Sequence, residues 1–438
     1  MTNMSTIKSG ELKPPASNSV SSFLYLRTKP EHYSFDWNAV AGGVIKSLYN
    51  KKLKGLTLEE FEQKCADNFL SKLDEPSFWD VLKKAYFDKG MLLNVAPELA
   101  TLRGNEKEMD NNTKNLGKLF TSLLCKHQLE SSNSGRMNFI EREFKALFDQ
   151  NTEANKPTKA SESTSYLPFL SELFAQDLDF MNKRPQYFMA NLNSFARLYG
   201  FLYTAQTALN IRNWQAGEPT SKRCYLIIDT EKAGSERNKL QLSGFKHLRE
   251  QLEYLFPYLA MSESLQEKDS IAPLWQLAQA LPEDDSELAD RLEKYAKLFI
   301  KKRNLPEDTK TCAKTPVGWL KELLKLSHMQ FHKSNSRHKY NQDLVKGQIQ
   351  ALSEPFVQSR GRAGQVLVIN QDYLVLLTNL AIGEKDKLRL HELIKAFEAR
   401  GIWFDKQSQQ ALVAFYERMG NVERMSDSGD AVYVKKTV

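Results

Sequence analysis

The chain has 438 residues, of which 41% are hydrophobic and 26% charged, and its four cysteines (Cys65, Cys125, Cys224 and Cys312) lie far apart. This is an ordinary composition for about three globular domains; without a Cys-x-x-Cys pair it argues against a zinc ribbon and for a reducing compartment. No apolar run approaches roughly eighteen residues and no basic-then-apolar leader is present, so a cytoplasmic protein with no membrane partner is expected. The net charge of +7 is concentrated in one block, because Lys294 to Arg362 holds fifteen Lys/Arg against five Asp/Glu.

Residues 1–22, rich in Ser, Lys, Pro and Asn, predict a flexible or extended arm. Residues 23–150 read as an N-terminal helical domain. In it Thr57 and Glu60 form a capping box, and Leu58, Phe61, Cys65 and Phe69 recur at helical spacing. Ser77 to Asp88 makes a further helix. Residues 151–166 predict a linker or long loop, since up to Ser165 they carry no apolar side chain larger than alanine or proline.

A central helical domain is expected over 167–362. The aromatic-rich stretch from Leu167 to Trp214 reads as core in preference to a stacking platform for single-stranded nucleic acid. One strand stands out near 223–229. Leu248, Leu252, Leu255 and Leu259 mark a helix, others fill 272–303, and Thr315-Pro316 starts one that buries Trp319, Leu320, Leu323, Leu324 and Leu326.

Residues 363–438 are punctuated most clearly. A strand, Gln365 to Ile369, precedes a helix from Gln371 to Ile382, capped by Asn370 and stopped at Gly383. A second helix runs from Leu388 to Arg400 and stops at Gly401. Asp405 caps a third, Lys406 to Met419, ended by Gly420. Val422 to Met425 and Ala431 to Lys436 are strands flanking the turn-rich segment 426–430. Helix, turn, helix, hairpin is the winged-helix order. The expected fold is therefore mainly α, a multi-helical body with a few short strands and a C-terminal winged-helix (helix-turn-helix) domain.

In helix-turn-helix readers the second helix enters the major groove through its N-terminal residues. Here those include Lys406, Gln409 and Gln410, types that meet phosphate and adenine edges. Winged helices also dock proteins, and from 384 to 438 ten Lys/Arg against nine Asp/Glu make this one nearly neutral. The stronger phosphate-tracking surface is expected in the basic block, where Lys321, Lys325, His328 and His332 share a helical face continued by Lys333, Arg337, His338 and Lys339. Arg360 to Gly364 reads as a basic hinge. The candidate DNA contacts are thus Lys321, Lys325, His332, Lys333, Arg337, Lys339, Arg360, Arg362, Lys406, Gln409, Gln410, Lys435 and Lys436.

Other chemistry is less well encoded. His328 and His332, with His338 or Cys312, have zinc-ligand types but lack the acid of an H-E-x-x-H helix. Asp229, Glu231 and Lys232 are the residue types of a metal-dependent nuclease, yet the further acid that such sites need on a preceding strand is missing. The segments at Gly42–Ser47 and Gly117–Leu119 fail the spacing or the Ser/Thr of a phosphate-binding loop, and no G-x-S-x-G elbow occurs. No catalytic, metal, cofactor or small-molecule site is expected, and energy and DNA cutting are expected to come from partners.

The string Arg400-Gly401-Ile402-Trp403-Phe404-Asp405, then Gln409 to Leu412 and Met425 to Ala431, resembles the DptG (DndG) family of bacterial phosphorothioation-dependent restriction systems. Leu12-Lys13-Pro14 and Ile228 to Ser235 are similar as well. The resemblance implies a non-enzymatic subunit, working with DptF-like and DptH-like proteins against double-stranded DNA that lacks the host's mark. It carries no catalytic residues with it. A nuclease using Asp229 and Glu231 and a protein-only adaptor are the alternatives.

Overall fold

Capping side chains decide where the first helices begin. In the computed structural model, which describes residues 7–24, 26, 35–72, 75–104, 111–130, 137–154, 165–234, 237–268, 270–306, 311–425 and 431–438, Asp36 accepts from the amides of Asn38 and Ala39 to open α1 (Trp37–Leu48). Strand β1 (Lys51–Leu53) comes next, and the Thr57/Glu60 box opens α2 (Leu58–Leu70). Then come α3 (Ser77–Leu82), continued by a π-helical turn to Asp88, and α4 (Asn111–Leu124). An Asn138/Glu141 box opens α5 (Phe139–Gln150), and β2 (Thr152–Ala154) pairs antiparallel with β1. Phe61, Phe69, Trp79, Tyr86, Phe144 and Phe148 form a separate small core here. The expected linker thus begins as a strand; residues 155–164 of it lie outside the described residues, and Tyr166 at its end is buried.

The rest shares one continuous apolar core. Proline in the first turn starts both α6 (Pro168–Asn182) and α7 (Pro185–Asn210). Helix α7 is buried along most of its length and is the axis of the body, packed against α1 and α6 and, further along the chain, against the helices near 250, 345 and 375. After β3 (Ile227–Ile228) the chain forms α8 (Asn238–Ser243), α9 (Phe245–Leu265), α10 (Leu274–Gln279), α11 (Ser286–Arg303), α12 (Pro316–Met329) and α13 (His338–Leu352). Strands β4 (Val357–Ser359) and β5 (Gln365–Ile369) lead into α14 (Gln371–Ile382), whose cap is Asn370. The last elements are β6 (Lys387–Arg389), α15 (Leu390–Ala399), α16 (Lys406–Met419), β7 (Val422–Met425) and β8 (Ala431–Lys435). The protein is mainly helical with a few short strands. Among the described residues no helix is long and apolar enough to cross a membrane.

The structure adds detail to four of these expectations. Over residues 7–22 the N-terminal arm is extended and pinned: Ile7, Leu12 and Val20 are buried. The Lys8 amide donates to the Leu265 carbonyl at 3.0 Å, and Arg303 donates to the carbonyls of Pro15 and Ala16, both at 3.0 Å. The boundary at 362/363 is bridged by a sheet of order β3-β5-β4, in which β3 runs parallel to β5 with Ile227 opposite Val368 and Ile228 opposite Ile369. The Arg360–Gly364 segment is the tight turn of the β4–β5 hairpin, closed by the Arg360 amide on the Gly364 carbonyl at 2.8 Å. Gly361 and Gly364 adopt φ of +53° and +71° there, a region that favours glycine. Finally, Leu388 lies in a strand, because Lys387–Arg389 pairs with Tyr433–Lys435 in a second sheet of order β6-β8-β7.

The C-terminal elements are locked to the body by a buried charge pair. Arg400, just past α15, and Asp177 of α6 have side chains only 5% and 2% exposed, and they meet through two bonds of 2.5 and 3.1 Å. The Tyr199 hydroxyl of α7 donates to the same carboxylate at 2.5 Å. Burial works against the Arg400 charge, but Asp177 and Tyr199 more than offset it and raise its pKa further. Gly401 comes next with φ +87°, and a Cβ there would stand 2.3 Å from Gln206 Nε2 on α7. Breaking such a pair strands the surviving charge in the core, which costs about 3–5 kcal/mol. Asp177→Ala is accordingly expected to lower the free energy of urea unfolding by that amount, and a loss under about 1 kcal/mol would show that the pair does not hold the fold together.

Candidate nucleic-acid interface

The candidate interface is the start of α16. Asp405 caps the helix by accepting from the Ser408 amide at 2.9 Å, and the same carboxylate takes two hydrogen bonds from Arg237, at 2.8 and 2.5 Å. Arg237 also reaches the Ser408 hydroxyl at 2.7 Å and Glu231 at 2.9 Å. One side of the first turn is therefore fastened to the segment after β3. The other side is open: Lys406, Gln407 and Gln410 are exposed. Burial would raise the Asp405 carboxyl, but Arg237 and Ser408 reverse this and hold its pKa below the ordinary aspartate value.

Beside this cap the backbone from Cys224 to Asp229 is bonded along both edges. On one edge Trp403 donates its amide to the Cys224 carbonyl and accepts from the Leu226 amide, both at 3.0 Å; on the other the Asp229 amide donates to Ile369 of β5 at 3.0 Å. The rings of Tyr225 and Trp403 lie 6.2 Å apart, and two cations not singled out from the sequence sit over them, Arg223 over Trp403 and Lys239 over Tyr225. No local motif marks these two, because the rings that hold them are brought together only by the fold.

The thirteen expected DNA contacts divide by what they already touch. Lys321, Lys333, Lys339, Arg362, Lys406 and Gln410 are exposed. Lys325 and Lys435 are exposed as well, but they pair with Glu322 at 2.6 Å and Glu423 at 2.9 Å. The others hydrogen-bond within the protein. Arg337 donates to the Arg303 carbonyl at 2.9 Å, Arg360 to that of Asp229 at 2.5 Å, and Gln409 to that of Phe404 at 3.0 Å. His332 Nδ1 lies 3.2 Å from the Ser334 hydroxyl. Lys436 donates to the carbonyls of Gly383 and Lys385 at 3.2 and 2.8 Å, closing the end of α14.

Among the described residues the zinc and nuclease candidates have other partners. His328 is stacked flat on Tyr254, with centroids 4.1 Å apart and planes at 7°, while His338 faces the Phe331 carbonyl at 3.0 Å. Burial lowers the His328 pKa, so this residue adds no charge to the α12 face at neutral pH. Glu231 has both oxygens engaged, one by the Ile228 amide at 2.7 Å and one by Arg237 and Ser408. Among the described residues no three His, Cys, Asp or Glu are grouped to hold a metal.

Because the Asp405 pKa is depressed in the folded protein, its contribution to stability is present above the unfolded aspartate value of about 3.9 and is lost as the pH falls through the lower folded value. The stability difference between the native chain and Asp405→Asn, read from urea midpoints, is expected to stay constant above about pH 5 and to shrink below about pH 4. A difference that holds level down to about pH 3 would show that the carboxylate charge does not support the cap. No protein-family model and no curated protein matches the chain, so the functional reading rests on this geometry together with the sequence.

Proposed function

We propose that this chain is a non-catalytic DNA-binding and assembly subunit of a bacterial phosphorothioation-dependent restriction complex. It acts with DptF-like and DptH-like partners on double-stranded DNA that lacks the mark, in the cytoplasm. In this reading residues 371–438 form a winged helix, and α16 is its groove-reading helix. The order α14, β6, α15, α16, β7, β8, with β8 between β6 and β7, supports that reading.

One observation carries the DNA assignment: the open side of the first turns of α16 presents Lys406, Gln407 and Gln410 to solvent beside an Arg237–Asp405 clamp that fixes the helix. Glutamine pairs with adenine edges and lysine with phosphate. The exposed Lys321, Lys333 and Lys339 of the basic block would add phosphate contacts. The restriction setting comes from the likeness of the Arg400–Asp405 string. A protein-only adaptor is the second reading, favoured by the burial of Asp405 and Ser408, which removes two side chains that a free groove-reading helix would offer.

Binding of the purified full chain to a fluorescent DNA duplex is expected at about 50 mM salt and should weaken steeply by about 200 mM. Lys406→Gln/Gln410→Ala should weaken it about tenfold, in line with losing one phosphate contact and part of one base contact. Partner co-purification without duplex affinity at low salt would select the adaptor instead.

A further inference from the structure

Cations near the start of α16 fall into two kinds. Arg237 is neutralised by Asp405 and Glu231, and Arg400 by Asp177. Arg223 and Lys239 are different. Arg223 lies 5.3 Å from the Trp403 ring centroid and Lys239 lies 5.7 Å from that of Tyr225. Both are exposed, and among the described residues neither has an acidic partner. An aromatic face restrains a cation through the ring quadrupole and the buried stem without cancelling its charge. The charge stays available to a second partner, and the side chain is already oriented.

The platform beneath them is rigid. Trp403 and Tyr225 are joined by a backbone bridge, and Trp403 stands two residues before the Asp405 cap of α16. Lys406 on the first turn adds a third exposed cation, on the same helix as the exposed Gln407 and Gln410. Exposed cations without acidic partners suit the phosphates of a duplex backbone, and the exposed glutamine amides of α16 suit base edges.

We infer that Arg223 and Lys239 are phosphate clamps, mounted on the Trp403–Tyr225 pair, that grip the DNA backbone beside the start of α16. This rests on the DNA-binding reading of α16 and extends the contact surface onto the segment before β3 and onto α8. The clamp residues belong to the body, not to residues 371–438, so the two parts bind one duplex together.

The test is the salt dependence of duplex binding by the full chain, read as fluorescence anisotropy between about 50 and 200 mM salt. Each phosphate contact contributes about 0.9 to the slope of log affinity against log salt, so Arg223→Gln/Lys239→Gln is expected to flatten that slope by about two and to weaken binding roughly tenfold to a hundredfold at low salt. Arg223→Lys/Lys239→Arg keeps both charges and should preserve the slope. If the double Gln variant loses its cooperative melt, the single Gln variants are read in its place, each with a loss of about one in slope. An unchanged slope beside intact native binding overturns the clamp and leaves the DNA-binding reading standing. Absence of native duplex binding at low salt overturns both.

Discussion

A carboxylate and a guanidinium buried against each other, Asp177 and Arg400, set the geometry on which the rest of this protein depends. Taking two charges out of water is costly, and the cost is recovered only when the geometry is close and the remaining lone pairs and protons are filled. Here Tyr199 fills one oxygen of Asp177, and the carbonyls of Ala396 and Leu380 take further guanidinium protons at 3.0 and 3.3 Å. A pair of this kind tolerates one alignment. Helix α15 is thereby fixed in register against α6 and α7.

The residues immediately after Arg400 form a run of attachments to separate parts of the body. Gly401 approaches Gln206 too closely for any side chain, Trp403 bridges to Cys224 and Leu226, and Asp405 and Ser408 are held by Arg237. Within nine residues the chain touches α6, α7, the segment just before β3 and the segment leading into α8. The segment between α15 and α16 is thus held to the body at several points along its length. Any ligand of α16 therefore meets a surface composed jointly by the C-terminal elements and the body, and its orientation relative to the helical bulk is set before binding.

Much of the C-terminal region was legible from residue chemistry alone. Asn370 and Asp405 are caps, Gly401 and Gly420 adopt positive φ at helix ends, and α14, α16 and β7 begin and end where the side chains say they should. The Thr57/Glu60 box was equally plain. These signals are local, and local signals survive in sequence. The pairing of β3 with β5 was not legible, because it joins short apolar runs about 140 residues apart and parallel strands leave no turn between them. Strand β6 was read as helix because Leu388 fits the apolar stripe of α15, and only its partner β8 decides otherwise. Charge patterning showed where cations were dense but not what they already touched: Arg337, Arg360 and Lys436 serve protein carbonyls, while Arg223 and Lys239, outside the basic block, have no acidic partner among the described residues.

The pinned N-terminal arm bears on how the chain is made. Its anchors, Leu265, Arg303 and Gln330, lie between about 250 and 310 residues downstream of the segments they hold. During synthesis at about 5–20 residues per second, Leu12 and Val20 emerge well before the helices that bury them exist. At that rate the apolar side chains of this arm wait on the order of tens of seconds for the middle of their own chain to be made. Placing the arm is thus a ring closure between it and a stretch about 250 to 310 residues further along the chain.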